Sequence, residues 1–148
     1  NQLVGLQDLM PTLARLTGCP LGHEVDGCDL TDILNDDAVP GREIYYSQCC
    51  DDPEQAAMIF DGQWKYCYAQ RGPTEELYDL AEDPHELVNL ASQPSADKLL
   101  APWRERLVAE ARRFGDTALI KDKRLATAPL DRDELRNLPI RGMGWRWF

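Results

Sequence analysis

No stretch of this sequence stays apolar for more than a few residues before a charge interrupts it, so it holds nothing of the ~20-residue length that crosses a bilayer as a helix. Positive charge is in short supply too: 16 Lys and Arg face 26 Asp and Glu, a net charge of −10. That balance speaks against a nucleic-acid partner, because phosphate backbones are held by clustered cations. The first residues lack the basic stretch and apolar segment of a secretory leader. Ser47, Ser92 and Ser95 stand in neither a G-x-S-x-G nor an S-x-x-K setting, which leaves a serine hydrolase unsupported, and no glycine-rich loop is built to cradle a phosphate. The cysteines (Cys19, Cys28, Cys49, Cys50, Cys67) are odd in number and form no paired C-x-x-C. A zinc site from Cys19, His23, Cys28 and the vicinal Cys49 and Cys50 therefore lacks its usual spacing, and packed thiols are the simpler reading. The redox compartment is left open.

What is present fits one domain-sized chain of 148 residues. Residues 3–6 read as a short strand. Asp8 then caps a helix in which Pro11 falls in the first turn, Leu9, Leu13 and Leu16 form an apolar stripe, and Gly18 is the stop. A second, very short helix follows from Asp29 to about Leu34, with Asp29 as its cap. From Arg42 the pattern turns extended and predicts four strands, over residues 43–47, 57–60, 64–68 and 76–80. The Asp61-Gly62 pair between the second and third strands marks a tight hairpin. Residues 96 to about 114 carry Leu99, Leu100, Trp103, Leu107 and Ala111 at helical spacing, with Pro102 marking where the regular helix begins. The fold class expected is α+β: a small antiparallel sheet of about four strands packed against a C-terminal helix, preceded by a short N-terminal helical segment. Residues 1–34, 35–114 and 115–148 read as three units, the last an irregular tail closing on Trp145-Arg146-Trp147-Phe148, an aromatic run costly to leave in water.

Two blocks carry a family resemblance. Leu6-Gln7-Asp8-Leu9-Met10-Pro11-Thr12-Leu13, continuing through Leu16-Thr17-Gly18 to Asp26-Gly27 and Leu30, is one; Lys65-Tyr66, Glu76-Leu77-Tyr78-Asp79-Leu80, Glu82-Asp83-Pro84, Glu86 and Asn89-Leu90-Ala91 is the other. In order and spacing they resemble the C-terminal portion of the sulfatase family, arylsulfatase-like members of the alkaline-phosphatase-like superfamily, over roughly residues 3 to 114. The resemblance implies a small subdomain that completes an α/β sulfatase and helps to shape its substrate pocket. It implies hydrolysis of sulfate esters by a formylglycine beside Ca2+, both supplied by an N-terminal core that is this chain's expected partner. No catalytic residue, metal ligand or cofactor is expected within the chain itself.

Cys67-Tyr68-Ala69-Gln70-Arg71 overlaps the formylglycine signal, but it sits at the end of a strand just before the Leu-Tyr-Asp-Leu block, so Cys67 reads as a packed strand residue. Asp26, Asp29 and Asp32, with Asp36 and Asp37, lack the ligand order of a calcium loop and read as caps and a solvated turn. The candidate substrate contacts are His23, in a glycine-flanked loop, and Lys65, the cation of the family-like strand. A phosphonate monoester or phosphodiester hydrolase of the same superfamily is the enzymatic alternative, and a stand-alone binding module with an aromatic tail is the non-enzymatic one. With no core beside it, the N-terminal helix is expected to expose apolar surface and to drive self-association.

Overall fold

The computed structural model describes residues 2–36, 38–50 and 54–130. Four strands, β1 (Tyr45–Cys49), β2 (Ala56–Phe60), β3 (Trp64–Ala69) and β4 (Thr74–Asp79), form one antiparallel meander in chain order. The register follows from alternation: Tyr46, Ile59, Tyr66 and Leu77 stand opposite one another across the four strands, as do Ser47, Met58, Cys67 and Glu76. Successive side chains point to opposite faces, so these two rows lie on opposite sides of the sheet. At the β2–β3 turn Gly62 takes φ +99, and Asp61 accepts from the backbone N–H groups of Gln63 and Trp64, as the Asp-Gly pair predicts.

Three helices accompany the sheet, α1 (Leu9–Thr17), α2 (Thr31–Asn35) and the much longer α3 (Ala96–Arg113), and α3 covers the first face. Leu100, Trp103, Leu107 and Ala111 recur on one side of α3 and pack on Ile59, Tyr66, Tyr68 and Leu77 as a single core. Burying a side chain such as Leu107 completely contributes about 2 kcal/mol. Two expectations are corrected here. The helix runs unbroken from Ala96 through Pro102 rather than starting near it, and Leu99 lies outside the buried stripe. Packing of the flanking apolar residues outweighs the one hydrogen bond that proline cannot make.

Residues 3–6 form no strand: Leu3 makes a single antiparallel bridge to Arg42, and a 3-10 turn follows at Leu6–Asp8. Gly18 ends α1 in the left-handed region, as expected, but Leu9, Leu13 and Leu16 are exposed. Beyond α3, Leu119 is fully buried, and a two-stranded ribbon, β5 (Ile120–Lys121) with β6 (Arg124–Leu125), returns the chain to the sheet. There the Tyr68 hydroxyl donates to the Ala126 carbonyl at 2.7 Å, and the Ala128 N–H donates to the Gln70 carbonyl at 2.8 Å. Thus residues 115–130 contain regular structure joined to the sheet, whereas the Trp145 and Trp147 part of the tail lies outside the described residues.

Candidate functional site

The N-terminal segment is held to the sheet by a buried charge. Asp8, assigned as a helix cap from sequence, makes no capping bond to α1. Its carboxylate is fully buried and accepts from the Gly5 N–H at 2.7 Å, the Cys28 N–H at 2.8 Å and Arg42 Nη2 at 2.6 Å. Burial works to raise its pKa, but the two backbone donors and the guanidinium outweigh it and hold the group below the ordinary carboxylate value. Thr12 continues the stitching, donating to the Asp8 carbonyl at 2.6 Å and accepting from the Leu30 N–H at 3.0 Å. The backbones close tightly: a Cβ on Gly27 would come 1.9 Å from the Gln7 carbonyl oxygen. Beside this junction a cleft of about 530 Å³ opens, with Arg42 and Ile33 on one side and Arg106, Glu110 and Arg113 of α3 on the other.

On the second, open face of the sheet, a depression of about 410 Å³ is lined by Ser47, Cys49, Ala56, Met58, Cys67, Ala69 and Glu76. Lys65 projects on this face and donates to both oxygens of Glu86 at 2.8 and 2.9 Å, a pairing that raises its pKa. Glu86 reaches it from a left-handed backbone, φ 56, in the turn that begins at Asp83-Pro84. Cys67 is half-buried on the same face, and burial pushes its thiol up, with Lys65 pulling the other way. That is the opposite of the lowered pKa an activated nucleophile needs. His23 is exposed in the loop between α1 and α2, and among the described residues the Lys65 ammonium pairs with Glu86 and not with His23.

The acidic residues of that loop serve the chain itself. Asp29 accepts from the Thr31 N–H and hydroxyl, and Arg15 bridges Asp29 and Asp32 at 2.9 Å each. Among the described residues no group of three His, Cys, Asp or Glu side chains is placed to hold a metal ion. No step of the calcium and formylglycine chemistry that the sulfatase resemblance implies is assigned to this chain.

Two polar networks were not visible in the sequence. Arg104 makes paired bonds to Glu75 at 2.7 and 2.6 Å while the Tyr66 hydroxyl donates to the same carboxylate, and Asp116 accepts from Tyr46 and Gln55. Burial raises the Tyr66 and Tyr46 pKa values, and each carboxylate adds to the shift. Arg104 lies 29 residues from Glu75, and Asp116 lies 61 and 70 residues from Gln55 and Tyr46, separations that no local pattern reports.

No family model matches the chain. It is 33% identical over 105 residues to the Delta 4,5-hexuronate-2-O-sulfatase of Bacteroides thetaiotaomicron, covering 68% of this chain and 22% of that protein. It is 40% identical over 93 residues to the choline-sulfatase of Rhizobium meliloti, covering 59% and 17%. Among solved structures, a 2-O GAG sulfatase aligns with TM-score 0.64 at 29% identity, over 82% of this chain and 27% of that one. The phosphonate monoester hydrolase of Agrobacterium radiobacter aligns with TM-score 0.63 at 23% identity, over 86% and 29%, a likeness of fold alone. The chain thus spans about a fifth of the length of the curated relatives it matches.

Proposed function

We propose, on the premise that this chain belongs to the sulfatase family as a C-terminal portion of its fold, that it serves as the non-catalytic subdomain of a sulfuric ester hydrolase. The observation that carries this is the 33 to 40% identity to two sulfatases over about 100 residues, together with a sheet-and-helix unit that superposes on a sulfatase. In this reading the catalytic groups lie in the remaining four-fifths of a relative-sized polypeptide, which is the chain's partner, and a sulfate ester is the substrate. The α3-covered sheet supplies a rigid support, and the exposed loop carrying His23 supplies a contact to substrate. Lys65 contributes only by releasing Glu86. The exposed row Leu6, Leu9, Met10, Leu13 and Leu16 supports a further point: the 148-residue chain on its own self-associates through this apolar face.

The phosphonate hydrolase alternative rests on fold likeness alone and is the weaker reading. The complete polypeptide encoded with this chain, produced with a formylglycine-generating enzyme, separates the two. Faster turnover of 4-nitrophenyl sulfate than of 4-nitrophenyl phenylphosphonate supports the sulfatase, and the reverse preference overturns it.

A further inference from the structure

The ribbon that follows α3 goes against two local rules. Within β5–β6, Lys121 stands directly opposite Arg124, and like charges in a cross-strand pair repel. The two residues of its turn, Asp122 and Lys123, both take positive φ, 50 and 65. A turn of this kind favours glycine at its second position, where a side chain strains the backbone. Lysine occupies it here. Three of the four residues 121–124 are thus cations, in a chain whose net charge is −10. Among the described residues no ion pair holds any of the three, whereas Arg15, Arg42, Lys65, Arg104, Arg106 and Arg113 are all paired. A negatively charged ligand at the ribbon would offset the repulsion.

Such a ligand has a place to sit. β6 runs beside α3, and between the two opens a groove of about 460 Å³, within the size range of small-molecule sites. Ala101, Arg104, Glu105 and Val108 recur at i, i+3, i+4 and i+7 and form one wall along α3. Lys123, Arg124, Leu125 and Thr127 line the other side. Three chemistries meet there. Val108 and Leu125 offer apolar surface to the C–H face of a ring, and Lys123 and Arg124 offer charge to an anionic group. The Thr127 hydroxyl and the Glu105 carboxylate, which makes no ion pair among the described residues, can bond hydroxyl groups. Of the remaining charges, Arg104 and Glu75 neutralise each other through bonds of 2.7 and 2.6 Å, and Asp122 does not line the groove.

We infer that the groove between α3 and the β5–β6 ribbon binds a sulfated sugar, its sulfate on Lys123 and Arg124 and its ring hydroxyls on Glu105 and Thr127. A free inorganic anion would face Glu105 with nothing to donate, so the mixed lining selects a polyhydroxyl ligand that also carries a charge. The choice of sulfate among oxyanions rests on the sulfatase reading, and the groove's preference for an anionic sugar does not.

Amide NMR of the full 148-residue chain tests it, with N-acetylglucosamine 6-sulfate as the probe and N-acetylglucosamine and sodium sulfate as controls. Expected are saturable shifts at residues 123–127 with the sulfated sugar and weaker binding of both controls. The K123G variant separates binding from structure. Glycine relieves the positive φ, so Tm should rise by about 2–4 °C. Affinity for the sulfated sugar should fall about threefold to fivefold, the worth of one exposed ion pair. Sulfated-sugar binding that K123G leaves unchanged, an absence of shifts at 123–127, or sodium sulfate binding as tightly as the sugar overturns the inference. No turnover is read, so this result and the sulfate-against-phosphonate preference of the complete polypeptide can fail separately.

Discussion

Arg42 Nη2 donates to Asp8 Oδ1 at 2.6 Å, joining the start of the chain to the approach to β1 across 34 residues, with Asp8 fully buried and Arg42 partly so. Replacing Arg42 with Ala leaves a buried carboxylate held only by the Gly5 and Cys28 N–H groups. Breaking such a pair from one side typically costs about 3 kcal/mol or more. We expect R42A to lower the free energy of unfolding by about 3 kcal/mol, read from urea denaturation; a loss under about 0.5 kcal/mol, the size of an ordinary surface substitution, contradicts the role given to this pair.

The same carboxylate sets an acid limit. Its folded pKa lies below the ordinary value of 3.8, so its contribution to stability is fully present above that value and is lost as pH falls through the folded pKa. Unfolding free energy measured from pH 6 down to pH 2 should drop below about pH 4 in the wild type. In D8N this part of the slope should be reduced; an unchanged slope contradicts the assignment.

Glu75 gives a second, weaker acid-sensitive point. Bonds from Arg104 and Tyr66 offset its burial and hold its pKa below 4.5. The Arg104 side chain is 36% exposed, so solvent screens the pair. E75Q should cost about 1 kcal/mol at pH 7, and the gap from wild type should close as pH falls through the folded pKa of Glu75. Thermal unfolding followed from pH 7 down to pH 2 reads both the cost and its closure, and a gap that stays constant over that range contradicts the assignment.

Leu107 and Leu13 form a contrasting pair, fully buried in one case and 57% exposed in the other. L107A should destabilise by about 3 kcal/mol through the cavity it leaves between α3 and the sheet. L13K should leave stability within about 0.5 kcal/mol while reducing self-association in sedimentation velocity. Self-association undiminished in L13K and in the L9K/L13K double variant would remove the α1 face as its cause.

His23 is exposed and is given a substrate contact. In the complete polypeptide, H23A should raise KM for a sulfate ester about threefold to tenfold with kcat little changed, the signature of lost uniform binding. An unchanged KM removes the contact.

The sheet was largely legible because its signals are local. Alternation in residues 56–60 and 64–69 names both faces, and Asp61-Gly62 names the turn between them. The helix Ala96–Arg113 shows itself by spacing, with its start misplaced at Pro102 and the exposed Leu99 counted into the buried stripe. Asp8 shows where local reading stops: an Asp before a helix looks like a cap, and only the distant approach of Arg42 and Cys28 makes it a buried junction. Leu9, Leu13 and Leu16 have the period of a core-facing stripe, and periodicity does not tell which neighbour, if any, covers it. The ribbon at residues 120–125 escaped notice because two-residue strands carry no period at all.

The account rests on the chain being a non-catalytic part of a sulfate ester hydrolase, and release of 4-nitrophenol from 4-nitrophenyl sulfate, with calcium, tests that most directly. The assay sets the 148-residue chain beside the complete polypeptide encoded with it, each produced with a formylglycine-generating enzyme. Turnover by the complete polypeptide and none by the chain is the predicted result. Turnover by the chain alone would contradict it and would direct attention to Cys67, the one cysteine in a formylglycine-like setting.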